Sequence, residues 1–325
     1  MSTAANTALP AAQSLGHGIT CIDTEQMRAG LACCYLLQQG DEAALIECGT
    51  SPGVPGLLAR LDQMGVKREQ VRYVIPTHVH LDHAGGAGLL MRELPNAQLV
   101  VHPRGARHLI DPSKLIAGAT AVYGAAAVKQ MYGEILPIAE SRVIVADDGH
   151  KLDLGGRELL FVDSPGHARH HFSVWDPASR GFFTGDTFGL SYRVFDGPRG
   201  PWLMPTTTPV QFEPEAWEQT LDRYLSHEPR QMYLTHYGAV QDVPKLAGEL
   251  RAGLADYQRI ALDAAALGAQ RHAAIKQALY DWSLQQLRLR EVDIAEPLAR
   301  DWLEFDLELN AQGLVVWLDK QSVSH

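Results

Sequence analysis

Between Thr77 and Gly86 the chain reads THVHLDHAGG, directly after the apolar run VRYVI and Pro76. Three histidines and an aspartate stand between His78 and His83, and two glycines close the run. Such side chains are nitrogen and oxygen donors, and donors crowded together in this way suit a metal ion. Residues two apart on extended backbone share a face, so His78 and His80 can turn to one ion. Asp82 and His83 follow after the chain begins to turn, and they point toward a second. Gly85 and Gly86 allow the tight backbone that starts the next helix. One cluster cannot fill two coordination spheres, so the remaining donors must come from elsewhere in the chain. In a layered α/β protein, loops at one end of the strands form the site.

The patterning supports such layers. GITCID, CCYLLQ and AALIECG read as strands, VPGLLARLDQMG as a helix ending at Gly65, GGAGLLMREL as a helix and AQLVVH as a strand. Alternating β and α segments argue for sheets covered by helices. Residues 106–141 read as a helical insertion with glycine interruptions. RVIVADDGHKLDLGGRELLFVDSPGH then carries two hairpin-like turn signals, DDG and GG. HFSVWD, GFFTGD and QMYLTHYG are further strands, with the helix EPEAWEQTLDRYLSH before the last. From 243 onward the pattern is helical. The expected organisation is a disordered leader over 1–14, one α/β domain over 15–242 and an α-helical domain over 243–325.

Three isolated donors stand at strand ends: His167 in DSPGHARHH, Asp186 in FFTGDTFG and His236 in MYLTHYG. With THVHLDHAGG, and in this order, these segments resemble the metallo-β-lactamase superfamily over roughly residues 15–240. The resemblance implies an αββα four-layer sandwich, here with an inserted helical cap and a helical C-terminal appendage. It also implies a two-metal site. His78, His80 and His167 would hold the first ion, Asp82, His83 and His236 the second, and Asp186 would bridge them. Zinc is the default for such a set, and iron or manganese also suits it.

Some positions depart from the family pattern or extend it. Glu47 in LIECGT stands where the family usually has an aspartate that supports the metal loops. His171 matches a histidine that often supports the site by hydrogen bonding, whereas His170 reads as surface. Tyr192 lies six residues past Asp186. In lactonase-like members a tyrosine near this loop binds substrate or stabilises an oxyanion, although loop tyrosines also simply pack. Tyr237 stands in the same position of choice. His102, His108, His150, His227 and His272 have no partner by motif and read as ordinary surface or core histidines.

The resemblance implies a metal-dependent hydrolase in which a metal-bridged hydroxide attacks a small ester, thioester or lactone. Asp82 and Asp186 would accept or shuttle its proton. The alternatives on the same fold are an iron-dependent oxidoreductase of the sulfur dioxygenase kind and a metal-dependent phosphodiesterase or nuclease. Flavin-linked di-iron members usually carry Glu at the position of His80. A net charge of −10 without a Lys/Arg block argues against nucleic acid and anionic membranes as partners. Cys21, Cys33, Cys34 and Cys48 form no C-x-x-C pair and read as buried thiols of a reducing compartment. The N-terminus has no basic stretch followed by an apolar core, so a cytoplasmic location is expected. The apolar residues of the C-terminal helices must be covered, by the chain itself or by a second copy in a homodimer.

Overall fold

The computed structural model describes residues 9–323. The chain divides into two compact units, one up to Phe161 and one from Val162.

The first unit is built on a seven-stranded sheet in sequential order. Its strands are β1 (Ala12–Gly16), β2 (Ile19–Asp23), β3 (Cys33–Gln39), β4 (Glu42–Ile46), β5 (Val71–Ile75), β6 (Gln98–Val101) and β7 (Val143–Val145). The first four pair antiparallel. From β4 to β7 the pairing is parallel. Each parallel step needs a crossover, and α1 (Val54–Gln63), α2 (Leu81–Ala84) and α3 (Ala87–Glu93) lie in these connections. Leu57, Leu61, Leu90 and Leu94 join Leu36, Leu45, Val74 and Leu99 of the strands in one core. The four cysteines are free and buried. Burial pushes the Cys34 and Cys48 thiols well above their usual range, which keeps them protonated and inert.

The expected leader lies partly outside the described residues. From Ala12 the chain is already strand β1, held by pairing with β2, a partner that composition does not reveal. The insertion forms α4 (Pro103–Ile110), α5 (Ser113–Tyr123) and α6 (Ala125–Tyr132). Val128 and Tyr132 of α6 pack on Leu81 of α2. The two turn signals after it have different outcomes. Gly155–Gly156 do join a hairpin, β8 (Lys151–Leu154) with β9 (Arg157–Asp163). The DDG turn does not: β7 pairs with β6, and β8 pairs with β9 instead. Turn chemistry sets how the backbone reverses, whereas hydrogen-bonding partners decide which sheet receives the next strand.

The division between the units falls inside β9. The second unit contains β10 (Phe172–Asp176), β11 (Gly181–Gly185), β12 (Gln231–Leu234) and β13 (Gly238–Val240). β11 and β12 run parallel, so their C-terminal ends meet at one edge. Helix α7 (Pro214–Ser226) makes that crossover. The chain closes with α8 (Val243–Ala264), α9 (Arg271–Leu289) and α10 (Glu296–Val323). These helices cover the aromatic side chains of the 188–212 segment: Trp202 faces Trp282, Phe195 faces Trp302 and Phe212 faces Trp317. Among the described residues, no helix is long and apolar enough to cross a membrane.

Candidate metal centre

In the first unit the site begins where β5 stops. Pro76 cannot extend a ladder, and the chain leaves the sheet through Thr77 and His78, both fully buried. His80 is extended and stands at the N-cap of α2, so Asp82 and His83 project from a helical turn. His78 Nε2 lies 2.9 Å from His80 Nδ1, two ring nitrogens directed at one another. His83 Nε2 lies 3.4 Å from Asp82 Oδ2. The turn is pressed against the end of β4: Gly86 N donates to the Gly49 carbonyl, and a Cβ on Gly86 would lie 2.7 Å from the Cys48 carbonyl oxygen. Close approach of backbone requires the glycine here.

Glu47 organises this half. It is buried and holds a left-handed φ of 69°, a conformation that costs a non-glycine residue about 1 kcal/mol or more and persists only where surroundings impose it. Its carboxylate accepts from Thr77 N at 3.2 Å and from Thr77 Oγ1 at 2.5 Å. It also faces His83 Nδ1 at 3.1 Å. Because the Thr77 hydroxyl spends its proton on Glu47, His78 Nδ1–H donates to Thr77 Oγ1 at 3.1 Å. Each ring then carries its proton on Nδ1 and presents Nε2 as a lone pair. The longer carboxylate thus reaches His83 directly and His78 through Thr77. Glu47→Gln keeps the volume but removes the charge that fixes these protons, and is expected to lower metal affinity by about 10–100-fold. Titration of the apo-protein with Zn2+ against a chromophoric chelator checks it, and an unchanged affinity would remove Glu47 from the account.

In the second unit the donors leave the ends of β9, β11 and β12. His167, Asp186 and His236 are all buried. His167 Nδ1 donates to the Thr206 carbonyl at 3.0 Å, which again leaves Nε2 as the lone pair. That Nε2 lies 3.6 Å from Asp186 Oδ2, and His236 Nε2 lies 3.8 Å from Asp186 Oδ1. The two oxygens of one carboxylate face two different imidazoles beyond hydrogen-bond range. Two donors each about 2.0–2.2 Å from a zinc ion at tetrahedral angles stand about 3.3–3.6 Å apart. The 3.6 Å pair falls within that range and the 3.8 Å pair just beyond it. His171 supports Asp186, as expected: it is fully buried, its Nε2 accepts from Asp186 N at 3.3 Å, and its Nδ1 donates to Ser164 Oγ at 2.8 Å.

Both units therefore contain His and Asp side chains suited to a divalent metal ion. A family model described as the metallo-beta-lactamase superfamily matches residues 28–236. The chain belongs to the metallo-beta-lactamase superfamily. Its fold is accordingly that superfamily's α/β sandwich, here with a helical appendage at the C-terminus. The metallo-beta-lactamase fold-containing protein ST1585 of Sulfurisphaera tokodaii is 29% identical over 56% of this chain and 65% of its own length. Acyl-coenzyme A thioesterase MBLAC2 of Bos taurus is 25% identical over 59% of this chain and 68% of its own. The structure of TTHA1429 from Thermus thermophilus superposes with a TM-score of 0.67 at 19% identity, covering 95% of each chain, a likeness of fold. The first of these curated relatives is spanned over less than two thirds of its length.

Within this superfamily site, Tyr192 is buried and its hydroxyl donates to Asp306 Oδ2 of α10 at 2.8 Å. The ring lies between His236 and Trp302. Stabilising an oxyanion would require that bond to Asp306 to be given up. Tyr237 N donates to the Ser191 carbonyl, which ties the His236 segment to the Tyr192 loop. His102 caps α4 by accepting from Arg104 N. His150 packs on Phe161. Sequence reasoning missed Thr77, Ser164, Asp306 and Asn310. Thr77 alone carried a local signal, its adjacency to His78.

Proposed function

We propose that the chain is a metal-dependent hydrolase of small esters, thioesters or lactones. His78, His80 and His167 would hold one divalent ion, Asp82, His83 and His236 a second, and Asp186 both. The single observation that carries this reading is the placement of Asp186, each oxygen of which faces a different imidazole beyond hydrogen-bond range. Bound divalent ions supply Lewis acidity: they bring the pKa of water toward neutrality and polarise a carbonyl. The protein supplies the rest. Hydrogen bonds at Nδ1 present the Nε2 lone pairs of His78, His83 and His167. Asp82, partly exposed beside His83, or Asp186 would take a proton during attack. Tyr192, its ring beside His236 and its hydroxyl turned to Asp306, would contact the substrate through its ring.

A small carboxylic substrate is favoured over a nucleic acid by the net charge of −10 without a Lys/Arg block, which is unsuited to a phosphate backbone. The thioesterase name of the bovine relative points the same way. Zinc is the proposed ion, with iron or manganese as substitutes. The test is a panel of aryl ester, acyl-coenzyme A thioester, lactone and phosphodiester, assayed before chelation, after it and after reconstitution with Zn2+, Fe2+ or Mn2+. The expected result is turnover of a carboxylic substrate that chelation abolishes and a divalent ion restores. Turnover indifferent to chelation, or confined to the phosphodiester, would refute the reading.

A further inference from the structure

The C-terminal helix α10 reaches the Pro205–Thr207 segment, which holds His167, by direct hydrogen bonds. Asn310 is buried. Its Oδ1 accepts from Thr207 N at 2.6 Å, and its Nδ2 donates to the Pro205 carbonyl at 3.2 Å. Thr207 Oγ1 donates in turn to the Asn310 carbonyl at 3.1 Å. The residue enclosed by these bonds is Thr206, whose carbonyl accepts from His167 Nδ1. On the next turn of α10, a Cβ on Gly313 would lie 1.4 Å from the Thr207 carbonyl oxygen. Helix and loop are therefore in backbone contact, and no larger residue fits between them. On the preceding turn, Asp306 accepts from Tyr192, on the loop that follows Asp186. The residues Asp306, Asn310 and Gly313 lie three and four apart, on one face of the helix.

We infer that Asn310 is a positioning residue for the metal centre: it fixes Pro205–Thr207 so that the Thr206 carbonyl holds His167 with Nε2 presented to the ion. The inference rests on the reading of His167 as a ligand. The amide satisfies both Thr207 N–H and Pro205 C=O with one side chain, whereas a carboxylate donates nothing and an alkyl group does neither. Loss of that grip frees the carbonyl to drift, and with it the proton and tilt of His167. Partners of this kind that orient a ligand affect metal affinity almost as the ligands do. A helix that served only as cover would affect thermal stability and leave affinity alone.

The experiment uses full-length protein and Zn2+ and Co2+ as probes. Apo-protein carrying Asn310→Ala, Thr207→Val or Leu279→Ala is titrated with Zn2+ against a chelator and with Co2+ by its visible spectrum. Leu279 is buried on α9 and serves as the control for lost cover. Asn310→Ala is expected to weaken Zn2+ binding by about tenfold or more and to shift the Co2+ bands. Thr207→Val is isosteric and loses only the hydroxyl's bonds to Asn310, at its carbonyl and at Oδ1, so it remains testable if Asn310→Ala does not fold. Its expected loss is about threefold or more. Leu279→Ala should lower Tm and leave affinity and spectrum unchanged. Wild-type affinity and spectrum in whichever of Asn310→Ala and Thr207→Val folds, or an equal shift in Leu279→Ala, would overturn the inference alone. A wild-type protein that binds neither ion would overturn the ligand assignment and the inference with it.

Discussion

Asp186→Ala is expected to reduce turnover of any authentic substrate by about a thousandfold, or ~4 kcal/mol of barrier, more than loss of any one histidine. Its two oxygens face His167 and His236 separately, so on the proposed assignment its removal would take a donor from two coordination spheres at once, whereas each histidine would serve one. Asp186→Asn keeps one oxygen donor and is expected to fall between Ala and wild type. Steady-state kinetics on the substrate found by the panel, with excess Zn2+, check the order. An Asp186→Ala enzyme as active as wild type would contradict the bridging role.

The second large effect is expected from a chain that ends at Val243. It lacks α8, α9 and α10, and with them the rings of Trp282, Trp302 and Trp317. Phe195, Trp202 and Phe212, all buried in the whole chain, would lose those covers. Each large apolar side chain returned to water costs about 1.5–3 kcal/mol, and a domain has only about 5–15 kcal/mol to lose. Asn310 and Asp306 leave as well, so the loops carrying Thr206 and Tyr192 lose their hydrogen bonds to α10. The truncated chain is expected to aggregate, and any soluble fraction to be inactive. Light scattering and size-exclusion chromatography at matched concentration read the outcome. A soluble, fully active truncated protein would mean that the helices neither stabilise the second unit nor shape its loops.

The residues proposed as donors could be singled out in the sequence because ligation restricts residue type and spacing locally. His78 to His83 lie within one run, and His167, Asp186 and His236 each follow a strand at a turn. The strands themselves were legible from apolar runs bounded by Gly and polar residues. Two of their supports, Glu47 and His171, could be named from the family resemblance, but Thr77, Ser164 and Asn310 could not; Asn310 acts on Thr207 across 103 positions. Such partners are chosen by the folded backbone, and no local period records them. In sequence Asn310 is one polar residue in an apolar stripe with Leu303, Leu307, Ala311 and Leu314, and only its burial reveals its work. The DDG turn failed for a similar reason: the residues specify a reversal, whereas the destination of the next strand depends on β6 and β9. Tyr192 was singled out for its place after Asp186, but its partner Asp306 sits on a helix that local patterning could not bring to it.

The most direct test of the central claim is metal stoichiometry. Wild-type protein, stripped with chelator, reconstituted with Zn2+ and freed of excess ion, is analysed by elemental mass spectrometry beside His78→Ala/His80→Ala. The account predicts two ions per chain in the wild type and at most one in the double variant. Trace metal in the wild type, or two ions retained without His78 and His80, would contradict it.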